Sequence, residues 1–257
     1  TVIEAIDHVR MFTGHPLKYL SSQILVSPKG GRFKGRTLSL WQKIIDTEQA
    51  YPGELSKRAK GWAAEVIEGL FGLTANSNAG KDLGFLELKS FGVECKDSNS
   101  PGVLRESLLP LTTFTWQEVN DQPFNSSRIR QKIMQQLWIP ILKGSDGLGP
   151  SATAEGMGRF TLLHPMIWIP TKEETVQLEQ DYERVRSLVR SGDHEQVSAK
   201  TFSKMNLALV PNTAGANRKA QTSYTDQNGK TFSVKQRKWN LKGKIVQEQF
   251  NKHHQRH

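Results

Sequence analysis

Cysteine is almost missing from this 257-residue chain: Cys95 stands alone, so no disulfide can staple the fold. Long apolar runs are missing too. The longest, Leu137 to Leu142, is six residues interrupted by Pro140, far short of the roughly 20 that a bilayer span needs, and the mean hydropathy is −0.53. The opening Thr-Val-Ile-Glu-Ala-Ile-Asp has no basic segment leading into an apolar one, so secretion is not expected and a reducing cytoplasm is the expected location. Acids are also scarce, at 25 Asp and Glu against 35 Lys and Arg, a net charge of +10. With 36% hydrophobic and 23% charged residues the chain is globular rather than disordered, and its charge makes a polyanion the first partner to consider. Nucleic acid leads over a phospholipid surface, because no lipidation signal or strongly basic amphipathic helix stands out, and no membrane partner is expected. From Gly229 onward there are eight Lys or Arg and a single acid, Glu248, which concentrates +7 of the net charge in the last 29 residues. A solvated tail would show the same run, and charge alone leaves both readings open.

The first 56 residues form a helical and basic segment with a Gly-rich loop, Ser27-Pro-Lys-Gly-Gly-Arg-Phe-Lys-Gly-Arg36, readable as a DNA arm or as a plain surface loop. Trp62, Val66, Ile67, Leu70 and Phe71 fall on one face at helical spacing, and Gly72 ends that helix. Leu83 to Cys95 reads as β-structure with Glu87 and Lys89 on one face and Leu86 and Leu88 on the other. A second helix starts at Ser126 or Ser127 and carries Ile129, Ile133, Met134 and Leu137, with Arg128, Arg130 and Lys132 on its other faces; a short strand follows at Trp138 to Leu142. Gly144 to Gly158 reads as loop and Thr161 to Ile169 as a buried strand. Thr171-Lys-Glu-Glu174 is a capping box opening a long helix that turns Leu178, Tyr182, Val185 and Val189 inward and stops at Gly192. Leu207 to Val210 is a strand and Pro211 to Asn217 a turn-rich loop. The stretch from Phe232 to Phe250 interleaves Lys235, Arg237, Lys238, Lys242 and Lys244 with Phe232, Trp239 and Ile245.

An acid two residues before a base is weak evidence alone, since about three such pairs arise by chance at this composition. At Glu87 and Lys89 the context is richer: Asp82 precedes them across a turn at Gly84, and Glu68 lies on the upstream helix. Three carboxylates and a lysine suit phosphodiester hydrolysis, in which hard oxygen ligands hold Mg²⁺ and a lysine orients or deprotonates the attacking water. Each also has a plainer reading: Glu87 and Lys89 as a surface ion pair, Asp82 as a turn residue, Glu68 on a solvated helix face. A second register stays open, with Glu87 as the first acid and Glu94-Cys95-Lys96 as the acid and base pair. The histidines at 253, 254 and 257 have metal-compatible spacing but read as a frayed tail, and Cys95, Trp62, Trp138 and Trp168 read as core.

At these residues the chain resembles the family of the MutH mismatch-repair nicking endonuclease and its related type II restriction endonucleases, which share the PD-(D/E)XK nuclease fold. Lys60-Gly-Trp with Glu68, then Asp82 followed by Leu-Gly-Phe-Leu-Glu-Leu-Lys89, then Ser127-Arg-Ile-Arg-Gln-Lys-Ile ending in Leu-Trp-Ile-Pro140, are similar to family blocks in the same order. Trp168-Ile-Pro-Thr, Gly215-Ala-Asn217 and Lys235-Gln-Arg to Asn-Leu-Lys242 continue it, so the likeness runs from about Lys57 to Lys244. The resemblance implies a mixed α/β sheet flanked by helices, with two lobes around a DNA cleft: residues 57–145 the catalytic lobe, 146–257 the DNA-recognition lobe, and 1–56 packed on them. It implies Asp82 and Glu87 as ligands of Mg²⁺ (Mn²⁺ substituting), Lys89 as the catalytic lysine and Glu68 as a supporting carboxylate. Expected DNA contacts are Arg128, Arg130, Lys132, Asn212, Asn217, Arg218, Lys219, Lys235, Arg237, Lys238, Asn240, Lys242 and Lys244.

The chain departs from the family pattern in three places. Four residues separate Asp82 from Glu87 where the family has six; Ala214 stands where a lysine is expected; Asn240 stands where a tyrosine or serine is expected. The expected activity is Mg²⁺-dependent, sequence-specific cleavage of double-stranded DNA of type II restriction type, leaving 5′-phosphate and 3′-hydroxyl ends. A MutH-like strand nickase and a non-catalytic sequence-specific DNA-binding protein are the alternatives. A restriction enzyme would have a cognate methyltransferase as its genetic partner, and monomer and homodimer both stay open.

Overall fold

The computed structural model describes residues 1–26, 36–55, 61–73, 82–94, 103–104, 108–143, 153–198, 201–202, 208–213 and 221–254. Most of the Gly-rich loop, Cys95, Lys96, Ala214 to Lys219 and His257 lie outside them. By its own contacts the chain divides into two compact units, and neither is continuous in sequence: one comprises Thr1–Asn78, Leu88–Arg105 and Leu137–Ile167, the other Ala79–Glu87, Glu106–Gln136 and Trp168–His257. Contiguous lobes at 57–145 and 146–257 do not match this division, because strands far apart in sequence pair within each unit.

In the first unit, helices α1 (Val2–Arg10), α2 (Leu17–Gln23), α3 (Leu40–Ala50) and α4 (Trp62–Leu70) accompany a two-strand pair, β1 (Leu25–Val26) with β2 (Leu38–Ser39). α4 buries Trp62 and, one turn on, Val66 and Ile67, and Gly72, at φ +67°, ends it. A five-stranded sheet, all in this unit but for the terminal residues Glu87, Gln136 and Trp168, is built from β3 (Glu87–Glu94), β4 (Val103–Leu104), β6 (Gln136–Leu142), β7 (Thr161–Leu162) and β8 (Met166–Trp168). Its order is β4-β3-β6-β7, with β8 also pairing with β6.

The Glu87 N–H donates to the Gln135 carbonyl and the Lys143 N–H to the Val93 carbonyl; these bonds advance in one sense along both strands, as a parallel pair requires. β4 and β7 run antiparallel to their neighbours, so the sheet is mixed. β6 is buried from Gln136 to Ile141, and Trp138 meets Phe91 edge to face at 6.0 Å. Three expectations shift. β6 begins two residues before Trp138, the stretch 161–169 forms two short strands, and a short helix, α7 (Ala154–Gly158), lies inside the stretch read as loop.

In the second unit, β5 (Leu108–Phe114), β12 (Arg237–Lys242) and β9 (Leu209–Thr213) form an antiparallel sheet with β12 in the middle. β10 (Gln221–Thr225) and β11 (Thr231–Lys235) form a hairpin closed by Asp226, whose Oδ1 accepts from the N–H groups of Asn228 and Lys230. α5 (Trp116–Asp121), α6 (Arg128–Ile133), α8 (Lys172–Arg190) and α9 (Gly243–His254) complete the unit. The capping box at Thr171 and Glu174 is made in both directions, and α8 buries Leu178, Tyr182, Val185 and Val189 as its periodicity predicts. Trp239 of β12 packs between Phe114, at 4.8 Å, and Tyr182, at 5.5 Å. Burial raises the Tyr182 hydroxyl well above the ordinary tyrosine range, and that hydroxyl donates to the Gln122 carbonyl. The expected tail is helical instead: α9 continues to His254, whose ring stacks on Phe250 at 4.0 Å.

Candidate active site

The site starts from a turn. Gly84 sits at φ +74°, a conformation a side chain would strain, and the Leu83 N–H donates to the Leu86 carbonyl at 3.0 Å, so the chain reverses just after Asp82 and enters β3 at Glu87. Asp82 is half-buried at the mouth of that turn. Strand alternation puts Glu87, Lys89, Phe91 and Val93 on one side of β3. Phe91 and Val93 are buried, and so is Glu87, at 1% exposure; Lys89 is half-buried. The Glu87 face of β3 is therefore not the open, charged face that its alternation with Leu86 and Leu88 suggests.

Glu87 meets a cation, and that cation is Lys132. Lys132 Nζ donates to Glu87 Oε1 at 3.0 Å and to Oε2 at 2.9 Å, with Lys132 itself only 6% exposed. The helix that positions it is local in origin: the buried Ser127 caps α6, its hydroxyl accepting from the Arg130 N–H and donating to the Phe124 carbonyl. Ile129, Lys132 and Ile133 form the buried face of α6. Lys132 was expected on an exposed face against DNA; its place on the apolar stripe with Ile129 and Ile133 buries it instead. Gln136, also buried, holds the end of α6 by donating to the Lys132 carbonyl.

The other site candidates fall as follows. Glu68 is half-buried on α4, in the first unit. Glu94 closes β3, half-buried. Among the described residues no three His, Cys, Asp or Glu side chains gather as a metal site. Mg²⁺ does not require three, since it is commonly held by one or two carboxylates, with waters and phosphate oxygens completing its shell. A buried carboxylate whose two oxygens already hold a cation is a fitting donor for it, and Asp82 is the nearest second acid in sequence.

Of the expected DNA contacts, Lys235, Lys238 and Lys244 are exposed and Lys242 and Asn212 half-exposed. Lys238 pairs across the sheet with both Asn212 and Thr113, so these three share one face. Arg128 and Arg130 are half-buried, and neither Nε has a partner among the described residues. Two expectations are corrected. Arg237 alternates with Trp239 and Leu241 toward the core, is buried, and lies over the Trp116 ring at 5.7 Å; burial lowers its guanidinium from the usual arginine range. Asn240 is buried, with Nδ2 donating to the Lys238 carbonyl at 2.8 Å and the Val210 carbonyl at 3.4 Å, so its amide is committed to backbone. Asn217, Arg218 and Lys219 lie outside the described residues.

The comparisons with known proteins cover the segments that form the turn, β3 and α6. The family described as the DNA mismatch repair enzyme MutH matches residues 71–181, which include all three. The DNA mismatch repair protein MutH of Haemophilus influenzae (strain 86-028NP) is 32% identical over 184 residues, covering 69% of this chain and 73% of the relative. That of Vibrio campbellii (strain ATCC BAA-1116) is 28% identical over 202 residues, covering 77% and 80%. With the mixed sheet, the acid-bearing strand after a tight turn and this extent of likeness, the chain belongs to the MutH family of DNA endonucleases.

Proposed function

We propose that this protein is a divalent-metal-dependent endonuclease that nicks one strand of duplex DNA, hydrolysing a phosphodiester to a 5′-phosphate and a 3′-hydroxyl. The observation that carries this reading is Glu87, a carboxylate almost fully buried at the start of β3, already holding a cation, with Lys89 two residues along the same strand face. A buried acid with no chemical task is a poor choice for a strand that elsewhere buries Phe91 and Val93. Glu87 and Asp82 are the residues that would hold Mg²⁺ or Mn²⁺. When bound, the metal neutralises the scissile phosphate and makes a bound water more acidic. Lys89, as an ammonium beside that phosphate, orients the attacking water and offsets the charge that develops.

Nicking is preferred to double-strand cutting because the relatives are named as mismatch repair proteins. Restriction-type cleavage is the second reading, kept because the chain departs from the family pattern at Ala214, beside Gly215-Ala-Asn217. One experiment separates them: supercoiled plasmid incubated with protein and Mg²⁺ yields nicked circles for the first reading and discrete linear fragments for the second. Intact plasmid at every site sequence would leave only DNA binding. Lys89→Ala is expected to slow nicking about 10²- to 10⁴-fold with DNA affinity kept. Glu94→Ala is the matching control, and loss of nicking there with normal cutting by Lys89→Ala would move the site along the strand.

A further inference from the structure

We propose that Lys132 is a built-in counter-cation which holds Glu87 in the metal-free protein and is exchanged for the divalent metal when that metal binds. The inference rests on the reading of Glu87 as a metal ligand and goes beyond it, since it assigns Lys132 a role in metal occupancy rather than in touching DNA or the scissile phosphate.

Burial is the first step of the argument. Glu87 at 1% exposure has little bulk water to solvate a charge, so a cation bonded to it offsets the cost of burying a carboxylate. Lys132 does this through one atom, bonded at 3.0 and 2.9 Å to the two oxygens that a divalent ion would draw on. The second step is exclusion. An ammonium and a dication on one carboxylate repel strongly in a medium as poor in water as this, so occupancy by the metal requires Lys132 Nζ to leave at least one oxygen. The third is reach. Lys132 lies one residue from the end of a six-residue helix and carries four methylenes, so its Nζ can swing away from Glu87 without α6 moving, which a shorter or planar cation could not do as readily. The pair thus holds the carboxylate in place before the metal arrives, and sets a threshold that the metal must exceed.

The test follows the ammonium itself. In full-length protein labelled with ¹⁵N at lysine Nζ, Lys132 should give a slowly exchanging ammonium resonance, assigned by its loss in Lys132→Arg. Mg²⁺ alone is then added, without DNA, alongside calorimetry of the same titration. The resonance should shift and fade into fast exchange in step with the heat of binding, and Glu87→Gln should abolish that heat. A saturating heat that depends on Glu87 while the Lys132 resonance stays in place would overturn the exchange and leave Glu87 as a ligand. A heat that survives Glu87→Gln would overturn both. No heat at millimolar Mg²⁺ would also overturn the exchange, since the ammonium would then be holding the site shut.

A second measurement uses stability. Lys132→Met should melt roughly 10 °C below wild type without metal, because the buried Glu87 loses the cation bonded to both of its oxygens. Mn²⁺ should restore at least half of that loss, while shifting the wild type much less. Equal shifts in the two proteins would count against the exchange. If Lys132→Met does not fold, Lys132→Gln, which keeps a donor to Glu87, takes its place with the same expectation.

Discussion

Lys132 and Arg237 are both buried cations on elements rich in apolar residues, and what lies beside each decides its effect on stability. Lys132 faces a carboxylate, so removing it takes away the cation bonded to both oxygens of a buried acid; Lys132→Met is expected to cost about 3 to 5 kcal/mol in urea unfolding without metal. Arg237 faces the Trp116 ring, no carboxylate among the described residues pairs with it, and burial works against its charge. Arg237→Met should therefore hold or raise the midpoint of unfolding in DNA-free protein, trading a poorly solvated charge for apolar contact with Trp116. A loss as large as that of Lys132→Met would mean that Arg237 has an anionic partner in the folded chain.

Both placements are legible in the sequence, where periodicity and not charge decides them. Lys132 follows Ile129 by three residues and precedes Ile133, which is the buried stripe of a helix; Arg237 alternates with Trp239 and Leu241, which is the buried face of a strand. Glu87 lies on a buried face rather than on a half-exposed charged one, because Phe91 and Val93, two and three strand periods along, share its side of β3. Its pairing with Lys132, 45 residues on, has no signal in either segment alone.

At the scale of elements, what is encoded locally was readable and what depends on distant pairing was not. The capping box at Thr171, the stop at Gly72 and the turn at Gly84 each need only a few adjacent residues. The β5-β12-β9 sheet pairs Arg237 with Phe114, far back along the chain, and β9 continues through Pro211 to Thr213, where the composition suggests loop. One residue ties that sheet to α8. The Asp181 carboxylate is fully buried and accepts from the N–H groups of Ala208, at 2.6 Å, and Leu209, at 3.0 Å, and from Gln177.

Burial raises the Asp181 carboxyl above the usual aspartate range despite these bonds, which pull the other way. A carboxyl whose value is higher in the folded than in the unfolded chain contributes stability that is complete below the unfolded value and is lost as pH rises through the folded one. The stability advantage of wild type over Asp181→Asn should therefore be larger at pH 3.5 than at pH 7, in paired urea titrations. An advantage that grows toward neutral pH would show the N–H bonds winning over burial.

For the whole molecule the deciding quantity is a net charge of +10, concentrated after Gly229, and the alternation of β12 divides that charge in two. Arg237 goes inward, while Lys238, joined by Asn212 and Thr113 on neighbouring strands, goes outward, with Lys235 and Lys244 exposed beside the strand ends. Exposed lysines meet phosphates, which fix position on a duplex and carry no sequence information. Each such contact releases about 0.9 of a counterion, so Lys238→Gln and Lys244→Gln should each make the slope of log K against log salt shallower by about 0.9, equally on all sequences. The exposed Lys244 and Glu248 are 3.9 Å apart, a separation too long to withhold the lysine from DNA. Asn240→Ala should leave that slope and the sequence preference unchanged while lowering stability, because its amide is bonded to the Lys238 and Val210 carbonyls. A fall in affinity confined to one DNA sequence in Asn240→Ala, with stability intact, would show that this amide leaves the backbone to read a base; unchanged slopes in both lysine variants would take the phosphate path away from β12 altogether.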